Sequence, residues 1–331
     1  MMIGATPVDT LMQLSGGHCV PRCLHVVAEL GIADALGDTP QTAANLAEAT
    51  GTNAGALARV VRLLAAYGVF EIRDHLIGHT SASQLLRSDH PRSMRPFVRM
   101  MGLPMYWKVW EALEQSVRTG AAAADTVIPG GSWKYLADHP EEARIFDEAM
   151  IAYSRALIPG IVGAHDFSKF ARIGDIGGGR GHLMRGVLQA APSAKGILFD
   201  LPHVIEQAAA VPSERLTFQA GDFFKDSLPV CDAYLIMGVI HDWNDEQAEK
   251  ILNAVRRAAP AHAKVLVIET TVLDDPNPSW DKILDIQMLA ILAGKERTRT
   301  EYAELFAAAG LRFEREIETG VGVSILESSP A

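Results

Sequence analysis

Residues 171–182 read Ala171-Arg172-Ile173-Gly174-Asp175-Ile176-Gly177-Gly178-Gly179-Arg180-Gly181-His182. The strand-length segment Ala171–Ile176 leads to a glycine cluster and then to the helical pattern Gly181–Ala190, which predicts a strand, a tight turn and a helix. Glycines at such a junction let the backbone turn sharply and approach a ligand without side-chain interference. Read alone, the cluster is also compatible with a simple tight turn. Its spacing is Gly-x-Gly-x-Gly, whereas the dinucleotide fingerprint sets the third glycine one residue later, which counts against a nicotinamide-dependent dehydrogenase.

Downstream the same alternation repeats. Lys195–Asp200, Leu216–Ala220, Ala233–Met237 and Lys264–Glu269 read as strands, and Val204–Ala210, Glu246–Ala259 and Thr300–Ala309 as helices. Glu314–Glu318 with Val323–Leu326 reads as a closing antiparallel pair. Repeated strand–helix units imply an α/β domain, a parallel sheet with helices on both faces.

Upstream the rhythm is helical from about Leu11 to Met105. Thr42–Thr50 and Asn53–Tyr67 read as two short amphipathic helices. Gly68–Ile72 and Leu76–Thr80 then mirror each other across Asp74-His75 as a hairpin, so the order is that of a winged helix-turn-helix. Only Arg59 and Arg62 stand on the second helix, among Ala, Leu and Val. That suits packing against protein better than DNA reading. Tyr106–His165 is again helical and reads as a linker and cap. The predicted organisation is therefore residues 1–105, 106–165 and 166–331.

The whole chain has 331 residues, 48 % of them hydrophobic and 21 % charged, ordinary values for about two globular domains. Its net charge of −10 argues against broad binding to nucleic acid or anionic membranes. The cysteines Cys19, Cys23 and Cys231 make no disulfide framework. Cys19 and Cys23, beside His18 and His25, lack the second ligand pair of a metal site and read as helix-packing residues. With no leader pattern in Met1–Thr10 and no apolar run of membrane length, the expectation is a cytoplasmic protein.

Carboxylates recur at the predicted strand ends. Asp175 precedes the glycine turn, Asp200 ends the second strand and can accept from a ribose diol, and Asp222 follows the third strand in Gly221-Asp222-Phe223. Asp200 also reads as a helix cap and Asp222 as a turn residue. Together they suit a zwitterionic adenosyl ligand with a sulfonium cation, such as S-adenosylmethionine, better than a pyrophosphate. His241 stands just beyond the fourth strand, where open parallel sheets bind ligands. Asn244 reads as the next helix cap, with Gln247 as its capping-box partner. A neutral imidazole suits removal of a phenolic proton, and a carboxylate on its other nitrogen stabilises the imidazolium that forms. Glu269 and Glu296 are the candidates; alone, the first reads equally as a strand-end residue and the second as an ion-pair partner of Arg297 or Arg299.

The ordered set Asp175–Gly181, Phe199-Asp200-Leu201-Pro202, Gly221-Asp222-Phe223-Phe224, His241-Asp242-Trp243 and Gly294–Thr298 resembles S-adenosylmethionine-dependent O-methyltransferases of the caffeic acid/hydroxyindole type. The resemblance covers nearly the whole chain. It implies a Rossmann-like, seven-stranded, mostly parallel sheet behind a winged-helix dimerisation domain, and hence a homodimer. It implies His241 as general base flanked by Glu269 and Glu296. It places Asp175, Gly177, Gly179, Asp200, Leu201, Asp222, Phe223, Met237 and Trp243 around the methyl donor, Met237 standing where plant members usually carry lysine. Asp242, Met150 and Met288 fall at acceptor-site positions, and the Met-aromatic stretch Met100, Met101, Met105, Trp107 and Trp110 is a further candidate wall. The implied reaction is methylation of a hydroxyl on an aromatic small molecule, with no metal. Relatives of the same fold that methylate carbon or no longer methylate, and a DNA-binding regulator, are the competing readings.

Overall fold

The computed structural model describes residues 6–331; Met1–Ala5, within the stretch read for a leader, lie outside them. The chain falls into two units. One runs to Trp107 and resumes at Leu136–Tyr153, and the other comprises Lys108–Tyr135 and Ser154–Ala331.

In the first unit, helices Ala43–Thr50 and Ala54–Ala66 start where their caps dictate. Thr42 accepts from the Asn45 N–H at 3.2 Å and Asn53 from the Ala56 N–H at 2.9 Å, which satisfies donors left over at each helix start. Gly51, at φ 64°, makes the left-handed turn between them. Leu57, Val61 and Leu64, at helical spacing, pack with Val27, Ile32, Leu36, Leu46, Phe70 and Ile77 into one core. Each such burial stabilises by about 1.5–3 kcal/mol.

Strands β2 (Phe70–Arg73) and β3 (Leu76–His79) form the expected hairpin, with Asp74 and His75 at φ 48° and 63° as its two-residue turn. Strand β1 (Gln41–Thr42), too short to read in advance, pairs with β3. Helix Pro7–Ser15 buries none of its residues and exposes Val8, Leu11, Met12 and Leu14.

In the second unit, strands β4 (Arg172–Ile176), β5 (Lys195–Asp200), β6 (Leu216–Ala220), β7 (Ala233–Met237), β8 (Lys264–Glu269), β9 (Leu311–Glu318) and β10 (Ser324–Pro330) form one sheet. Its order is β6-β5-β4-β7-β8-β10-β9, parallel from β6 to β8, with β10 antiparallel to both its neighbours. Helices cover it, so central β7 is an unbroken apolar run in which Tyr234, Leu235 and Ile236 are wholly buried. The closing pair is longer than its alternation suggests and carries a bulge at Glu327/Ser328. Helix Trp280–Leu292 has no side-chain cap to announce it. The strand order reverses between β4 and β7, and their carboxyl ends open the crevice where such sheets hold ligands.

Candidate active site

The chain leaves β4 through Gly177, Gly179 and Gly181, all at positive φ (68°, 58° and 74°), a conformation that other residues adopt only with strain. Gly178 is required for space: a Cβ there would collide with the Asp175 carboxyl carbon and lie 2.5 Å from Leu198 Cδ1. Asp175 is buried, and its Oδ2 has no hydrogen-bond partner. Burial, and then the neighbouring Asp200 charge, pushes its pKa up to about 7. Asp200, at the end of β5, accepts from the N–H groups of Gly179 (2.8 Å) and Leu201 (2.7 Å), tying the glycine turn to the next strand.

Asp222, beyond β6, accepts from Phe224 N–H at 2.9 Å and pairs with Lys225 at 2.8 Å, a contact that lowers its pKa. Phe223, Phe224 and Trp243 meet edge to face, with centroids 4.8–6.2 Å apart. They form one wall of a cleft of about 650 Å³ that also has Gln247, Lys250, Asn253 and Arg257 along it. Asn244 caps helix Asp245–Ala258 by accepting from Gln247 N–H at 3.0 Å. The return bond of a capping box is not made, and Gln247 is one of the residues lining this cleft.

His241 sits on the short 3₁₀ turn Ile240–Asp242 that follows β7. Its Nδ1 lies 2.6 Å from Oε1 of the buried Glu296. That carboxylate holds the proton on Nδ1 and leaves Nε2 as the basic nitrogen. Asp242 Oδ1 is 3.5 Å from Nε2. Glu269, at the end of β8, has another task. Its Oε2 is 3.7 Å from Nδ1, beyond a hydrogen bond, while Oε1 accepts from the N–H groups of Val239 (3.0 Å), Ile240 (2.8 Å) and His241 (3.4 Å). Burial opposes a charge on His241, but Glu269, Glu296 and Asp242 outweigh it and hold the imidazole pKa well above its ordinary value. Burial raises the Glu269 carboxyl in turn. Beside this turn, Asp125, Gly130, Gly131, Ser132, Trp133, Ile291 and Leu292 enclose a cavity of about 220 Å³ with Asp242 and Trp243. Trp243 is thus common to both cavities.

A glycine-lined turn, carboxylates at successive strand ends and a base–carboxylate pair at the switch point are the parts the resemblance requires. Residues 110–312 match the model of the O-methyltransferase domain, and residues 12–89 that of the O-methyltransferase dimerisation domain. The chain belongs to the O-methyltransferase family. It is 40% identical to a phenazine O-methyltransferase of Lysobacter antibioticus, over 99% of this chain and 98% of that one. It is 36% identical to an 8-amino-8-demethylriboflavin N,N-dimethyltransferase of Streptomyces davaonensis, over 92% and 90%. The crystal structure of a methyltransferase of calicheamicin biosynthesis, bound to S-adenosylhomocysteine, superposes with a TM-score of 0.90 at 32% identity, covering 99% of this chain and 100% of that one.

The methyl donor of this O-methyltransferase is S-adenosylmethionine, and the residues fit it. The orphaned Asp175 oxygen, the open space over Gly179 and the aromatic wall at Phe223 and Trp243 are chemically compatible with a cationic amino acid end, a ribose and a purine. Leu201 is exposed beside Asp200, and Met237 is half-buried at the end of β7. Among the acceptor-site expectations, Asp242 lines the smaller cavity. Met288 is buried one turn before the lining residues Ile291 and Leu292, and its carbonyl accepts from Gly294 N–H at 3.1 Å. Met150 lies on the part of helix Pro140–Ala164 that belongs to the first unit; Met100, Met101, Met105 and Trp107 also belong to that unit, whereas Trp110 lies in the second. The sequence reading missed Phe224, for which the doubled phenylalanine was a signal. It also missed Ser132 and Trp133, marked only by the Pro129-Gly130-Gly131 break. Asp285, whose Oδ1 accepts from Glu296 N–H at 3.0 Å, left no local signal.

Proposed function

We propose that this O-methyltransferase methylates a hydroxyl of an aromatic small molecule, with His241 as general base. The observation that carries the reading is the 2.6 Å Nδ1–Glu296 contact, which leaves Nε2 free to take the acceptor proton. Bound S-adenosylmethionine supplies an already activated, electrophilic methyl group. The chain's own task is therefore to orient the acceptor, exclude water and receive one proton. Nε2 takes the hydroxyl proton, the O–H bonding pair stays on oxygen as the nucleophile, and Glu296 stabilises the imidazolium as it forms. Asp242 is the second acceptor beside Nε2 and orients the same hydroxyl. Aromatic and aliphatic groups at Trp133, Trp243, Ile291 and Leu292 suit a flat acceptor. The aromatic acceptor named for the phenazine relative favours the same class. Asp175, Gly177, Gly179, Asp200, Leu201, Asp222, Phe223, Met237 and Trp243 are the proposed donor contacts.

Mass spectrometry after incubation with labelled donor and a panel of phenols and aromatic amines tests the reaction. Label on a phenolic oxygen supports the reading, while label only on nitrogen or carbon, or none, overturns it. His241→Ala is expected to retain donor binding by calorimetry and lose about 10²–10⁴-fold in turnover; wild-type turnover by that variant removes the base role.

The homodimer belongs to the same proposal. It rests on the dimerisation-domain match and on the apolar face of helix Pro7–Ser15 that its own unit leaves uncovered. A cytoplasmic location is proposed too, in keeping with three free thiols. No described helix is long and apolar enough to cross a membrane.

A further inference from the structure

Arg297 is wholly buried, the largest side chain so placed among the described residues. A guanidinium taken out of water is costly unless its donors are paired. Here they are spent on the segment that carries His241. Nη1 donates to the carbonyls of Ile240 (3.2 Å) and Lys295 (3.1 Å), Nη2 to that of Trp243 (2.8 Å), and Nε to Asp245 Oδ1 (2.9 Å). The carbonyl of His241 itself accepts from Lys295 N–H at 2.9 Å. Gly294 makes that approach possible, because a Cβ there would collide with the His241 carbonyl oxygen. The N–H groups of Val239, Ile240 and His241, on the way into the turn, go to Glu269. The His241 turn is thus held by its donors from β8 and by its carbonyls from loop 294–297, which also carries Glu296.

We propose that Arg297 is a positioning residue that locks the His241 turn onto the Glu296 loop and thereby sets the Nδ1–Glu296 contact. Only a planar, five-donor fork can reach two carbonyls of one segment and one of the other together. A lysine supplies the charge without the fork. Arg297 itself touches no proton in transit; its effect runs through the distance between His241 and Glu296.

The inference rests on His241 as base, so the experiment separates the two. Arg297→Lys and Gly294→Ala are made in the full chain. Gly294→Ala displaces the same loop without altering the guanidinium. Donor affinity is measured by calorimetry, kcat and acceptor KM by turnover, the pH profile of kcat, and the Nδ1 proton of His241 by NMR on histidine-labelled enzyme. Both variants are expected to stay folded and bind the donor as wild type does. Acceptor KM is expected to change little, while kcat falls about 10–10²-fold, as misplacement of a reacting group by about 1 Å does. The acid limb should move toward the ordinary imidazole value of about 6.5, and the Nδ1 signal should lose its downfield position. Wild-type kcat, acid limb and signal in folded Arg297→Lys overturn the proposal. So does failure of both variants to fold, since the contact is then a requirement of the fold and not of positioning. If instead His241→Ala keeps wild-type turnover, the base reading fails, and the Nδ1 signal in Arg297→Lys still decides the role of Arg297.

Discussion

Three carboxyl groups converge on one imidazole, and distance divides their work. Glu296 is close enough to bond Nδ1, Asp242 faces Nε2, and Glu269 serves the backbone of the turn. Because the group holds the His241 pKa above its usual value, the ring must first lose a proton before it can accept one. Turnover is therefore expected to rise with pH, with an acid-limb midpoint above about 6.5. Glu296→Gln removes the charge at Nδ1 and should lower both that midpoint and kcat, as a kcat–pH profile of the two enzymes will read. A midpoint unchanged by the substitution rules out the pairing. His241 was legible in the sequence because it follows an apolar strand and precedes a capped helix. The difference between the two glutamates was not, since residues 28 and 55 positions from His241 meet it only after the sheet and loop 294–297 are in place.

At the scale of elements, periodicity located nearly every strand and helix that frames the crevice. What it could not supply was demand for space. Gly178 looks like any member of a flexible cluster, yet its hydrogen faces a buried carboxyl group and Leu198 on the neighbouring strand. Gly178→Ala is expected to destabilise the chain by about 1–3 kcal/mol through overpacking. It should also weaken donor binding, with far-UV circular dichroism unchanged; calorimetry showing undiminished donor affinity contradicts this account. Helix Trp280–Leu292 escaped the reading for a different reason. Its N-cap residue Ser279 makes no side-chain cap bond, and its second half, Met288–Leu292, is a short unbroken apolar run that period analysis does not resolve into helix or strand. Strand β1 escaped it because two residues carry no period at all.

For the whole molecule, the net charge of −10 disfavours polyanionic surfaces, and the exposed apolar side chains of the first helix are a surface suited to protein. Val8, Leu11, Met12 and Leu14 lie outward on one short helix, and a chain with a dimerisation domain has a use for such a face. Sedimentation is expected to give twice the 35.7 kDa of one chain, and Leu11→Asp with Leu14→Asp to shift the species toward one chain mass. A wild-type protein that sediments as one chain at micromolar concentration excludes the dimer. The last passage between the two units falls within one helix. Helix Pro140–Ala164 passes from one unit to the other after Tyr153, and no glycine or proline marks that point in the sequence.

Strand β10 is made after every other strand of its sheet, yet it lies between β8 and β9 and pairs Ser324 with Glu269. On the ribosome, β8 therefore waits through the synthesis of some 55 residues before its second edge is covered. The carboxylate that gathers the His241 turn hangs from that waiting edge. Emerging chains thus pass through a stage in which the donor-side strands β4, β5 and β6 can already pair while the proton-accepting corner has no settled partner. Nascent chains halted before Ser324 should accordingly acquire protease resistance around the glycine turn earlier than around His241.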